Sequence, residues 1–216
     1  MVNPPIRTVV HLLRHGEVHN PEGVLYGRMV GFHLSDLGHE MARAVADHLA
    51  DHDVTHVVAS SLQRAVETAT PVAEAHGIPI TVDDRVIEAA NRFEGRRVAG
   101  MRPAQFVHPR NWSMLVNPLR PSWGEPYTEI AQRMTAAIDD ARTAARGHEA
   151  VIVSHQLPIW TARNALLGRR LWHDPRKREC RLASLTTLTY AGDDLASVTY
   201  AEPAAALLSQ TFGGTG

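Results

Sequence analysis

Two histidines of this 216-residue chain end short apolar runs, each with an arginine or hydroxyl beside it. Val9-Val10-His11-Leu12-Leu13-Arg14-His15-Gly16 closes on a guanidinium, an imidazole and a glycine. Ala150-Val151-Ile152-Val153 closes on Ser154-His155, and His56-Val57-Val58-Ala59 closes on Ser60-Ser61, with Arg64 one helical turn further on. The planar fork of arginine matches phosphate oxygens, and an unprotonated imidazole is a nucleophile or base near neutral pH. Two arginines and two histidines in one pocket would repel one another if it stayed empty. Around a dianion such as a phosphoryl group they make physical sense.

For these residues to meet, the three runs must be neighbouring strands whose carboxyl ends share one edge, the place where open α/β sheets bind ligands. Brief apolar runs bounded by polar residues and glycine have that character. Between them lie helical patterns. Ser35 reads as an N-cap, followed by Leu37, Met41, Val45 and Leu49 at intervals of four, with an end near His52. A second helix starts at Ser60-Ser61 and stops before Gly77 and Pro79, with Pro71 predicting a bend or break inside it. Ile80 opens a third short strand. Pro126 suits the first turn of a long amphipathic helix marked by Ile130, Met134, Ile138 and Ala141. A further helix follows His155, and residues 182–190 and 195–200 read as a closing hairpin through Gly192-Asp193-Asp194. This alternation predicts a three-layer α/β/α sandwich. It forms one domain over residues 1–202, interrupted by an irregular, proline-rich insertion at 90–125 and followed by a flexible tail at 203–216.

Composition excludes several classes. The net charge of −1 supplies no field for nucleic acid or anionic lipid, and no apolar stretch approaches the roughly 20 residues of a membrane span. The single cysteine, Cys180, rules out an internal disulfide framework and fits a reducing, cytoplasmic setting. A monomer or homodimer is expected. The 13 histidines include no His-Glu-x-x-His, and no Cys-x-x-Cys accompanies them, so no metal or cofactor is expected. His48, His52 and His56 have helical spacing but straddle the end of one element and the start of the next.

Arg14-His15-Gly16-Glu17 with Asn20 after it resembles the signature of the histidine phosphatase (phosphoglycerate mutase-like) superfamily. Ser60-Ser61-Leu62-Gln63-Arg64-Ala65-Val66-Glu67-Thr68-Ala69 is similar to its second block, with Ser61 where proline is usual. Gly124-Glu125 before a helix containing Arg133, and Val153-Ser154-His155, resemble the third and last blocks, in the family's order. The resemblance implies a phosphoglycerate mutase-like fold with a mostly parallel central sheet. It also implies His15 as the nucleophile that becomes a phosphohistidine. Arg14, Arg64 and His155 would surround the phosphoryl oxygens, with Asn20, Arg28 and the Gln156 backbone as further phosphate contacts. No metal is then needed.

Glu88, in Val86-Ile87-Glu88-Ala89-Ala90, stands where the family places its general acid. The following Asn91-Arg92-Phe93-Glu94-Gly95 departs from the family's pattern and leaves Glu94 as the rival carboxyl. Gln156-Leu157-Pro158 likewise replaces the usual glycine pair. Arg92, Arg96, Arg97, Arg102 and Arg110 form either a positive rim or a solvated run, and Trp112 and Trp123 either wall the pocket or close the core. The implied activity is hydrolysis of small phosphomonoesters, of the family's phosphatase branch. The alternatives are phosphoglycerate mutase-type transfer and a non-catalytic phospho-ligand binder. Mutases of the family look longer at the C-terminus, which favours hydrolysis here.

Overall fold

The computed structural model describes residues 5–97 and 124–211. Six strands form one sheet: β1 (Arg7–Arg14), β2 (Val54–Ala59), β3 (Ile80–Val82), β4 (Glu149–Ser154), β5 (Leu185–Ala191) and β6 (Asp194–Ala201). Five α-helices accompany them among the described residues: α1 (Asp36–Leu49), α2 (Gln63–His76), α3 (Tyr127–Ala144), α4 (Gln156–Leu166) and α5 (Ala205–Thr211). Strand order is β3-β2-β4-β1-β5-β6. The β3–β2, β2–β4 and β4–β1 pairs are parallel, and the β5–β6 hairpin adds antiparallel strands beside β1.

The continuous apolar runs of β1 and β4 follow from burial on both faces, which is what a parallel strand between helical layers requires. Val10, Leu12, Ala150 and Ile152 face α3 and α4, where Ile130, Met134, Ile138 and Ile159 meet them. Leu13, Val151 and Val153 face the other layer, packed by Met41, Val45 and Leu49 of α1 and Ala69 and Val72 of α2. The sandwich is the expected three-layer one.

Two local expectations are corrected. Pro71 does not break α2, which is one element with Ala69 and Val72 fully buried on either side of it. Proline removes one backbone donor, and core packing on both sides holds the helix across that gap. The chain after Pro203 is not a frayed tail at its start: α5 forms there, with Ala204 buried and Leu207 and Leu208 packed on the core beside α1 and α2. Most of the 90–125 insertion, with Trp112, Trp123, Arg102 and Arg110, lies outside the described residues. No described helix is long and apolar enough to cross a membrane.

Candidate active site

Register assembles the site. Arg14 of β1 pairs with Ser154 of β4, and Val153 of β4 pairs with Ala59 of β2. The next residues along the three strands, His15, His155 and Ser60, therefore emerge together at one edge. Their backbones continue the ladder: His15 N–H donates to the Ser154 carbonyl and Ser60 N–H to the Val153 carbonyl, each at 3.1 Å.

His15 is 2% exposed and His155 fully buried, with ring centroids 5.1 Å apart. The His15 Nδ1–H donates to the Gly16 carbonyl at 2.7 Å, which leaves Nε2 as the lone-pair nitrogen. Gly16 is needed for space rather than for an unusual backbone angle, since a Cβ there would lie 2.6 Å from the Gly38 carbonyl oxygen. Burial, reinforced by the Arg14 and Arg64 charges, holds the His15 imidazole well below its ordinary pKa. Burial does the same to His155, with His15 and Arg64 adding to it. The pocket escapes the repulsion of four cations because both imidazoles are neutral.

Arg64, on the first turn of α2, is 1% exposed. One nitrogen donates to the Gly27 carbonyl at 2.6 Å and approaches His155 Nδ1 at 3.5 Å, and the guanidinium lies 4.8 Å over the Tyr26 ring. Its Nη1 and Nε have no hydrogen-bond partner among the described residues, nor has Arg14 Nε. Buried donors left unmade are costly, and these belong to arginines whose charges act on His15. Arg14 Nη1 donates to the Cys180 carbonyl at 2.6 Å. His155 Nε2 meets Ser60 Oγ at 2.7 Å, so the serine that follows β2 orients the second histidine.

A cavity of about 410 Å³ opens over His15, lined among others by Arg14, Tyr26, Glu88, Gln156 and Arg178. Glu88 reaches it from a turn after β3. Ser154 Oγ donates to the Val86 carbonyl, Arg133 Nη1 to the Arg85 and Ile87 carbonyls, and Arg28 Nε to the Glu88 carbonyl, all at 2.6–2.7 Å. Burial raises the Glu88 pKa and outweighs the opposing Ala89 N–H and the Arg14, Arg64 and Arg178 charges. Its rival, Glu94, is engaged elsewhere. Glu94 Oε1 accepts from the Arg28 and Asn91 N–H groups at 3.0 and 3.3 Å, and Glu94 is not among the residues that line this cavity.

Two expected phosphate contacts are not at the cavity. Asn20 closes its own loop, with Nδ2 donating to the Val24 carbonyl at 2.8 Å and Oδ1 accepting from the Val24 N–H at 3.0 Å. The Arg28 guanidinium is committed to Glu125, at 2.8 Å, as well as to the Glu88 backbone. For Asn20 the partner is four residues on in the same loop, whereas Arg28 is held by partners distant in sequence. Gln156 stands at the cavity wall, at the start of α4, with Nε2 donating to the Cys180 carbonyl at 3.3 Å. Of the arginine run, Arg96 covers the Phe93 ring and Arg97 donates to Glu22, as a solvated face would.

Tyr26 and Arg178 also line the cavity, and no pattern in the sequence marks them. Arg178 Nε donates to His173 Nε2 at 2.7 Å and Nη1 to Gln156 Oε1 at 3.4 Å. It belongs to an Arg-Lys-Arg run just before Cys180, which has no local signature of a site.

Comparison with known proteins agrees with this geometry. Residues 10–203 match the profile of the histidine phosphatase superfamily, branch 1. An uncharacterised protein of Mycobacterium tuberculosis is 58% identical over 201 residues, 93% of this chain and 99% of that one. A probable phosphoglycerate mutase of Yersinia pestis is 28% identical over 84% of each chain. The solved structure of a mycobacterial glucosyl-3-phosphoglycerate phosphatase superposes with a TM-score of 0.70 at 24% identity, over 90% of this chain and 96% of that one, and shares the fold. The four sequence blocks, the register that joins them and the profile match agree: the chain belongs to the histidine phosphatase superfamily, branch 1.

Proposed function

We propose that the protein hydrolyses small phosphomonoesters through a phosphohistidine on His15. The observation that carries this reading is a buried, neutral imidazole with Nδ1 fixed by the Gly16 carbonyl, set among arginine donors that lack partners. In the first step His15 Nε2 bonds to phosphorus as the P–O bond to the leaving group breaks, and Glu88 gives its proton to the departing oxygen. In the second, a water oxygen bonds to phosphorus and the P–N bond breaks. The Glu88 carboxylate takes the water proton, and inorganic phosphate leaves. The raised Glu88 pKa suits a group that is acid first and base second.

Arg14, Arg64 and the first amides of α4 would meet the charge on the transferring group, so the proposed steps call for no metal ion. His155, steadied by Ser60, would donate to a phosphoryl oxygen. The Yersinia relative's description supports a second reading, in which the phosphoryl group returns to bound product as in a mutase.

The test is incubation with p-nitrophenyl phosphate, followed by an alkaline, denaturing quench. Release of p-nitrophenol and inorganic phosphate is expected, with acid-labile, base-stable label on the protein. Loss of the label and a fall of more than about a thousandfold in turnover are expected in His15→Ala. Isomerisation of phosphoglycerate without phosphate release would favour the mutase. Neither turnover nor label in the native protein would sink the enzyme reading and leave a binder.

A further inference from the structure

The face of the sheet covered by α1 holds a second convergence of titratable side chains, which the chemistry proposed at His15 does not use. His11 projects from β1 four residues before His15, about 13 Å away along an extended strand. His52 follows the end of α1, and Glu149 opens β4. His11 Nε2 and His52 Nδ1 each lie 2.8 Å from one atom, Glu149 Oε2. All three candidate donor atoms fall within 4.8 Å of one another. We propose that His11, His52 and Glu149 bind a divalent cation of the zinc class.

The donor set points to the ion. Two imidazole nitrogens and one carboxylate oxygen suit Zn²⁺, whereas Mg²⁺ and Ca²⁺ take oxygen ligands. Tetrahedral zinc with bonds near 2.1 Å sets its ligands about 3.4 Å apart. Each nitrogen therefore needs to move about half an ångström away from the carboxylate, while the two nitrogens, within 4.8 Å of one another, close toward the same spacing. His11 is 3% exposed, and its Nδ1 meets Thr187 Oγ1 at 2.9 Å, an outer partner of the kind that fixes a ligating ring. Arg7 Nη1 approaches the other Glu149 oxygen at 3.7 Å and leaves Oε2 to the imidazoles. The side chain of His52 is 37% exposed, so the site opens to solvent and leaves a fourth position for water. The His48 ring, one turn earlier on α1, lies 6.0 Å from that of His52.

A purely structural ion-pair cluster would share the geometry but would not hold a metal. The two differ in a direct measurement on the full chain, stripped with chelator and titrated with Zn²⁺ alone against a chromogenic competitor. One Zn²⁺ per chain is expected. His52→Ala and Glu149→Gln should each weaken it at least about tenfold, and His39→Ala on the outer side of α1 should leave it unchanged. Co²⁺ in place of Zn²⁺ should give visible bands of a tetrahedral site that vanish in His52→Ala. Because His52 is exposed, its removal does not threaten the core. Absence of stoichiometric binding, or equal affinity in the native protein and His52→Ala, would overturn the site. The titration uses no phosphate ester, so its result is independent of the reaction proposed at His15.

Discussion

At the scale of single residues, the division of labour between two glutamates is set by their surroundings. Glu88 lies on the cavity wall with a raised pKa, whereas Glu94 accepts two backbone N–H groups that brace the loop over Arg28. Glu88→Gln is expected to slow turnover of an alkyl phosphate by about 10²–10⁴ and, with p-nitrophenyl phosphate, whose leaving group departs without a proton, to let the phosphohistidine accumulate. Glu94→Gln keeps an acceptor oxygen and should stay close to the native rate. The pH profile checks the same assignment. An acid with a raised pKa loses its proton as pH rises, so the basic limb of kcat/KM should belong to Glu88 and flatten in Glu88→Gln. A basic limb unchanged in that variant would remove Glu88 from the role. The acidic limb should lie below the ordinary histidine range, because His15 stays unprotonated there.

At the scale of elements, the site depends on two close approaches that are only partly visible in the chain. Gly38 sits in the first turn of α1, where alanine normally stabilises a helix by about 1 kcal/mol. Here a Cβ would fall 2.1 Å from the Glu17 carbonyl oxygen, so Gly38→Ala should lower stability and turnover together. A thermal melt beside an activity assay reads both, and a raised Tm would refute the steric argument. Arg133 of α3 ties the turn that carries Glu88: it donates to the Arg85 and Ile87 carbonyls and to both oxygens of Glu125. Arg133→Ala leaves buried acceptors unpaired and should cost about 2–3 kcal/mol in denaturant unfolding, with slower turnover because Glu88 is no longer held.

At the scale of the whole molecule, the buried histidines limit acid tolerance. His15 and His155 have folded-state pKa values well below that of an unfolded histidine, near 6.5. As pH falls through 6.5 the unfolded chain gains protons that the folded chain refuses, so the folded state loses ground down to the lowered values. Each group contributes a slope of about 1.4 kcal/mol per pH unit within that window. Urea midpoints measured from pH 7.5 to 5.5 should decline, and His155→Asn should make the decline shallower. A midpoint independent of pH over that range would contradict the burial argument.

What the chain by itself determined is local. The apolar runs of β1 and β4, the cap at Ser35, the interval-of-four pattern of α1 and the residues that end each strand are properties of neighbours in sequence, and so is the Arg14-His15-Gly16-Glu17 signature. The parts it could not settle involve distant partners. The pairing of Asn20 with Val24 and of Arg28 with Glu125 is not written in the local pattern, and neither is the arrival of Tyr26 and Arg178 at the cavity. The choice between Glu88 and Glu94 rests on which of them lines the cavity beside His15. The convergence of His11 and His52 on Glu149 joins residues up to 138 positions apart, and no motif of spacing records it. Local periodicity selects elements because it acts over a few bonds. Sheet order and register decide which strand ends become neighbours, and these are set only when the two faces of the sheet are packed.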